Sequence, residues 1–402
     1  MIKIGLIREG KKPIDKRVPL TPKQAVAFQN QFKEIKIVAQ SSNIRCFADE
    51  DYVKAGIEVV EDISDCDILL GVKEVPLQEL IKDKTYFFFS HTTKEQPYNK
   101  KLLQTIVEKR IRLIDYEGLT DDKGIRVVAF GRYAGIVGAY NGILTYGKRY
   151  SLFNLRPAHK CHDLEDLKTE FSKVKMPPIK IVLTGGGRVA NGAMEVLDAM
   201  GIEKVSSSAF LSTAYPSAVY TQLNIDDYNC TKDGSYFSNE LFYKNPVNFK
   251  GDFLRFANVS DILIAGAFWN PKAPVLFTKE EAKNADFKIK VIADITCDIE
   301  GSVPSTLRAS TIDEPLYDYS PLEEIEKTAL SSDKNITVMA VDNLPCELPR
   351  NASNDFGEQL LNNVLPHLFN GDKEEVLKRA TITENGKLTS VFSYLENYIS
   401  KT

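Results

Sequence analysis

The sequence predicts an α/β protein of two domains, each built on a mostly parallel sheet. Three observations carry this. Short apolar strands alternate with helical segments through residues 1–117. A second run of the same kind starts near residue 179, with a strand that enters a glycine-rich turn. The length, 402 residues, suits two domains of ordinary size.

In the first run, strands are expected at 2–7, 35–39, 57–60, 68–72, 86–90 and 113–116, all rich in β-branched or aromatic residues. Helices fit between them. The clearest start is Thr21 followed by Pro22, a capping residue before a proline in the first turn. A second helix fits 100–110. Strands this apolar belong to a parallel sheet covered on both faces. Residues 131–150 read as a long interdomain helix rich in Gly, Ala and Tyr. Glycines 131, 135, 138, 142 and 147 lower its intrinsic stability but allow close packing. The second run has strands at 179–184, 261–265, 289–293 and 336–341. Segment 206–250 has no clear period and reads as an elaborated loop or an insertion. Another helix fits 352–369, and weaker elements follow. The expected division is 1–130 with 350–402 as a substrate domain and 131–349 as a dinucleotide-binding domain.

Composition excludes several classes. Net charge is −4 with no basic block, which argues against nucleic acid as partner. No run approaches the ~18 apolar residues of a membrane span. The first residues read as a strand and not as a signal peptide, so the cytoplasm is expected. The six cysteines form no CxxC pair and read as reduced thiols. No metal site is expected: His159, Cys161 and His162 are poorly spaced for ligation. His367 reads as structural.

The turn comprises Gly185, Gly186, Gly187, Arg188, Val189 and Ala190, between a strand and a helix. That context is what a dinucleotide fingerprint requires. Gly185 permits the tight turn and Gly187 lets the backbone approach a pyrophosphate. Ala190 allows the helix to pack closely, and the helix amino terminus offers N–H groups to phosphate. The second strand of this unit is expected at 204–207, with no acid at its end to bind a ribose 2′-hydroxyl. NAD or NADP is therefore open. Ser206, Ser207 and Lys204 suit a 2′-phosphate, and the serines equally suit a helix cap.

Several strands of the first domain run into titratable groups. Lys73 and Glu74 follow 68–72, His91 follows 86–90 with Lys94 one turn on, and Glu117 follows 113–116. Arg17 and Arg126 lie nearby in sequence. In the second domain Asp298 and Asp342 follow strands. Interleaved acids and bases can tune one another toward neutral pH, and arginines suit carboxylates. Any single one, such as Glu9, Glu74 or Lys94, also fits plain surface charge. Several such strand ends on one sheet edge favour a site.

These residues carry a family resemblance. Segments 17–22 (Arg-Val-Pro-Leu-Thr-Pro), 71–76 (Gly-Val-Lys-Glu-Val-Pro) and the glycine turn resemble the alanine dehydrogenase and nicotinamide nucleotide transhydrogenase superfamily. Segments 89–94 (Phe-Ser-His-Thr-Thr-Lys), 113–117 (Leu-Ile-Asp-Tyr-Glu), 126–135 (Arg-Val-Val-Ala-Phe-Gly-Arg-Tyr-Ala-Gly) and 342–353 (Asp-Asn-Leu-Pro-Cys-Glu-Leu-Pro-Arg-Asn-Ala-Ser) sharpen it. They resemble lysine-forming saccharopine dehydrogenase, and especially the lysine–2-oxoglutarate reductase domain of bifunctional enzymes. The resemblance implies two Rossmann-like domains with an active-site cleft between them. It implies conversion of saccharopine, oxidised cofactor and water to lysine, 2-oxoglutarate and reduced cofactor. By motif, Lys73 and His91 match the acid/base pair and Asp342 a carboxylate near it. Arg17 and Arg126 match substrate-carboxylate binders, while Lys94, Glu74 and Glu117 match tuning charges. Asp298 matches an aspartate of the nicotinamide cleft. The second, glutamate-forming domain of the bifunctional enzymes is expected to be absent. Small-molecule substrates are the expected partners, for a monomer or a homo-oligomer. Alanine dehydrogenase and a non-catalytic cofactor-binding relative are the alternatives.

Overall fold

The structure is a computed structural model that describes residues 1–400. It divides into two compact units. Met1–Phe130 and the residues from Pro349 onward form the first, and Gly131–Leu348 the second.

The first unit begins with six strands: β1 (Ile2–Leu6), β2 (Ile35–Gln40), β3 (Glu58–Val60), β4 (Ile68–Leu70), β5 (Thr85–Phe88) and β6 (Arg112–Asp115). All neighbouring pairs among them are parallel, in the order β6-β5-β4-β1-β2-β3. Side-chain alternation explains why both faces are apolar. Phe87 and Phe89 enter one core layer with Ile4, Leu6 and Phe356. Tyr86 and Phe88 enter the other with Leu69, Leu103 and Ile106. The Pro22–Gln31 helix starts as its sequence predicts. The Thr21 hydroxyl accepts from the Gln24 N–H, and the Gln24 side chain closes the capping box.

The second unit holds β7 (Lys180–Thr184), β8 (Glu203–Lys204), β9 (Val219–Leu223), β10 (Asn229–Thr231), β11 (Phe249–Gly251), β12 (Ile262–Ala265), β13 (Val291–Asp294), β14 (Leu316–Ser320), β15 (Ile325–Lys327) and β16 (Ile336–Met339). Its main sheet runs β15-β14-β16-β13-β12-β7-β9-β8, and β10 and β11 form a separate antiparallel pair. In the main sheet only β14 runs against the other strands, so its pairings with β16 and β15 are antiparallel. The chain then returns to the first unit, where β17 (Thr381–Glu384) pairs antiparallel with β6 and β18 (Lys387–Leu388) with β17.

Two expectations need correction. Segment 206–250 is not a plain loop: it contains β9, β10, most of β11 and the helices Ser207–Ser212 and Asn239–Lys244. The second strand is not 204–207. It is the two-residue β8, and Ser206 already caps the next helix. The strand that lies against β7 is β9, paired over Lys180–Thr184.

The Gly131–Arg149 helix is unbroken despite its glycines. Its neighbour, the Arg188–Ala199 helix, explains them. A Cβ on Gly135 would lie 1.8 Å from the Val189 carbonyl oxygen, and one on Gly192 would lie 2.0 Å from that of Arg132. The glycines therefore lose helix propensity but gain backbone-to-backbone contact. Gly192→Ala should destabilise the protein by at least about 1–3 kcal/mol, read as a lowered urea midpoint with unchanged slope.

Candidate functional site

In the first unit, the loops after β1, β4 and β5 leave the same sheet edge because the strands are parallel. Glu9, past the end of β1, turns inward and is 7% exposed. Its carboxylate accepts the Val72 N–H at 2.7 Å and the Lys73 N–H at 2.9 Å. That pins the backbone that carries Lys73. Burial, then the charge of Asp15, pushes the Glu9 carboxyl up to about 8.

The Lys73 side chain is half-buried, and burial and then the neighbouring Arg17 guanidinium depress its pKa. Glu74 is buried. One of its oxygens lies 2.7 Å from His91 Nδ1, and the other accepts from Lys11 Nζ at 2.6 Å. Burial alone would raise its pKa. The bonds from His91 and Lys11 outweigh that and hold it at about 2. His91 has a left-handed backbone, φ 52°, just past β5, and its ring stacks on Phe89 at 6.3 Å between centroids. The carboxylate and the stacked ring together fix the imidazole. The cluster can therefore offer a lysine of depressed pKa, next in the chain to the carboxylate that orients an imidazole, which suits paired proton transfer.

Arg17 is buried. Its Nε and Nη2 bond Asp15 at 3.0 and 2.6 Å, and its guanidinium lies 4.1 Å over the Phe130 ring. One strand over, Arg126 lies 3.8 Å from Glu117. Lys94 is exposed at the end of the Thr92–Lys94 turn, with no hydrogen bond to the cluster among the described residues. Glu9 and Glu74 are thus interior groups and not surface charge, whereas Lys94 is at the surface.

Sequence reading passed over three groups. Asp15 and Lys11 sit in the loop after β1, where no strand pattern marks them. Asp115 is fully buried at the end of β6 and accepts from the Ser90 N–H and hydroxyl. Burial pushes it up to about 6 against those bonds. Its place on an apolar strand was the available signal.

In the second unit, Gly185 has φ +106° and its N–H bonds the Leu223 carbonyl of β9. Gly187 precedes the Arg188–Ala199 helix, and a Cβ built on it meets nothing within 4 Å. Arg188 is exposed, Val189 half-buried and Ala190 buried. The helix start therefore presents open space, free N–H groups and a positive dipole end, which fit a pyrophosphate.

Because β9 lies against β7, its end is where a ribose-binding acid would stand. That residue is Asn224. Its Oδ1 lies 2.6 Å from the Cβ position of Gly186. Gln222 Nε2 donates to the Gly185 carbonyl at 2.9 Å and to Asn224 Oδ1 at 3.0 Å, and Lys204 Nζ reaches Gln222 Oε1 at 3.5 Å. Asp227 turns instead to the Asn224 N–H and the Ser207 hydroxyl. The Ser206 hydroxyl accepts from the Ala209 N–H as a helix cap. The loops after β9 and β12 bound a narrow apolar cleft lined by Ile225, Tyr228, Phe242, Tyr243 and Trp269, a suitable wall for a flat ring. Asp298 and Asp342 are exposed beyond β13 and β16. No cluster able to hold a metal ion occurs among the described residues, and no described helix is long and apolar enough to cross a membrane.

Residues 5–137 match the family model of the alanine dehydrogenase/PNT N-terminal domain. Saccharopine dehydrogenase (NAD(+), L-lysine-forming) of Emericella nidulans is 26% identical, over 96% of this chain and 97% of that one. Along nearly its whole length the chain is thus similar to a lysine-forming saccharopine dehydrogenase. It is also 30% identical, over 98% of its length, to alpha-aminoadipic semialdehyde synthase, mitochondrial, of Mus musculus, of which it covers 47%. It thus spans about half the length of the first curated relatives it matches. An L-alanine dehydrogenase structure covers 99% of both chains with TM-score 0.66 at 17% identity, which shows the shared Rossmann-like fold alone.

The Glu74 pKa has a pH signature. A folded value of about 2, below the ordinary 4.5, adds stability above pH 4.5 that is lost as pH falls toward 2. Glu74→Gln should therefore cost about 3 kcal/mol at pH 7. Urea melts should show that deficit shrinking between pH 4.5 and 3.

Proposed function

We propose that this chain converts saccharopine, water and an oxidised nicotinamide cofactor to lysine, 2-oxoglutarate and the reduced cofactor, and runs the reverse condensation. The observation that carries this is the half-buried Lys73, its pKa depressed, next in the chain to the Glu74 that holds the His91 imidazole. Similarity to lysine-forming saccharopine dehydrogenases along nearly the whole chain supports the substrate.

Gly185, Gly186, Gly187, Arg188, Val189 and Ala190 would hold the cofactor, which when bound accepts the hydride. Lys73, as the free amine, takes the proton from the secondary amine of saccharopine as its C–H bond is oxidised to the C=N level. His91 then takes a proton from the water that adds to that carbon. The same proton returns to nitrogen, and as the C–N bond breaks His91 takes the remaining O–H proton of the carbinolamine, so lysine leaves as the amine and 2-oxoglutarate as the ketone. Glu74 keeps the imidazole in register throughout. Arg17 and Arg126 supply the charge that substrate carboxylates need, and Lys94 and Glu117 tune the approach. Asp342 is the catalytic carboxylate of this reading, and Asp298 is assigned to the nicotinamide.

For the cofactor, the reading is NADP(H). At the end of β9, where NAD-binding sheets place an acid, this chain has neutral Asn224 and Gln222 with Lys204 beside them. A 2′-phosphate meets a cation there instead of a carboxylate.

The test is absorbance of reduced cofactor in the presence of lysine and 2-oxoglutarate, with pyruvate and ammonia as control. Oxidation should need both lysine and 2-oxoglutarate and should run faster with NADPH. Lys73→Met should lower turnover by about 10²–10⁴-fold while cofactor binding stays intact. Turnover with pyruvate and ammonia alone would replace this reading with an alanine dehydrogenase. Separately, Asn224→Asp should raise the NADH-to-NADPH affinity ratio by about tenfold, equivalent to about 1.4 kcal/mol. Fluorescence titration of the two reduced cofactors reads it directly.

A further inference from the structure

The second unit contains a cavity of about 220 Å³ apart from the glycine turn and the cleft beside it. It opens between the Gly131–Arg149 helix, residues 157–160, the approach to β14 and the end of β16. The reaction assigned above does not use it.

At this cavity lies a buried carboxylate. Glu347 is 3% exposed, and its Oε1 accepts a single hydrogen bond, 2.8 Å from the Asn141 amide. Its Oε2 lies 3.5 Å from His159 Nδ1, too long for a hydrogen bond. That Nδ1 is itself buried and makes no hydrogen bond among the described residues. Apart from this 3.5 Å approach of the imidazole, one neutral donor holds the buried carboxylate, and with the imidazole proton on Nε2 its charge is short of partners. Two acceptors therefore converge where one cationic donor is wanted. An ammonium has three N–H donors and satisfies both at once.

The rest of the lining specifies what the ammonium is attached to. Lys148 and Lys160 also line the cavity with exposed side chains, and Asp313 lies on the same lining. The two ammonium groups can pair with an anion. Leu144, Leu316 and Met339 provide apolar wall between the two charged regions. A volume below the usual ~300–1,000 Å³ of ligand pockets fits a single small metabolite.

We infer that this cavity is a second binding site, for a small aliphatic amino acid held as its zwitterion. Its ammonium bonds Glu347 and His159, its carboxylate pairs with Lys148 and Lys160, and its side chain packs on the apolar wall. This is independent of the active-site assignment, and its test leaves that assignment untouched.

The probe is L-leucine, titrated calorimetrically into the full chain without cofactor. 4-Methylpentanoate, which lacks the amine, and 3-methylbutylamine, which lacks the carboxylate, run beside it. Leucine should saturate at millimolar concentration, and each truncated probe should bind at least tenfold more weakly. Lys160→Ala, at an exposed residue, should weaken leucine about tenfold and leave the amine unchanged. Glu347→Gln should weaken both leucine and the amine. Absence of leucine binding, or 4-methylpentanoate binding as tightly as leucine, overturns the proposal. So does unchanged leucine affinity in Lys160→Ala, which stays decisive if Glu347→Gln does not fold.

Discussion

The parallel pairing of β4 with β1 on one side and β5 on the other is the constraint on which the first unit's chemistry depends. Parallel strands must all end at the same edge, so three consecutive loops deliver Glu9, Lys73 and His91 there without any local sequence signal linking them. The apolar side chains that force the pairing, Leu69, Leu70, Phe87 and Phe88, are fully buried. A register slip of one residue would move Phe87 and Phe88 to opposite faces and His91 with them. The position of the site is thus decided by core packing, and its chemistry by the residues beyond the strand ends.

That division explains what could be read from the chain alone. The strand ends carrying Lys73, Glu74 and His91 were legible because apolar runs stop abruptly at titratable groups. The environment of Glu9 was not, because its burial arises from backbone N–H groups of Val72 and Lys73, 63 and 64 residues away. Lys11 was silent for a similar reason, since its partner Glu74 is 63 residues away, whereas Asp15 pairs locally with Arg17 in a loop that no strand pattern marks. In the second unit the glycine turn was legible since its geometry is local. The neighbour of β7 was not. The first strand candidate after the turn is β8, but it has two exposed residues and lies at the sheet edge. The central position goes to β9, whose buried Val219, Tyr220, Thr221 and Leu223 supply the packing that β8 lacks. Sheet order is a competition for burial, and chain order does not decide it.

The carboxylates of the first unit show how one edge supports opposite proton affinities. Glu9 and Glu74 both lie in the interior, and burial pushes both upward. They differ in partners. Glu9 has two backbone donors and faces a second carboxylate, Asp15, so desolvation wins and it rests near 8. Glu74 has a lysine and a histidine, and rests near 2. At neutral pH the first is largely protonated and the second is an anion. A protonated Glu9 can accept from the Val72 and Lys73 N–H groups while adding little negative charge. The carboxylates whose charge acts on the Lys73 amine are Asp15 and Glu74, and both oppose the burial that depresses its pKa. An ionised Glu74 keeps its charge on His91 and Lys11. Arg17, meanwhile, is held on Asp15 and acts on Lys73 as a nearby positive charge, in the direction that favours the free amine. Glu74 thus bears on both the amine and the imidazole, and Glu9 on the backbone that carries the amine. Exchanging their partners, rather than their identities, would undo the site.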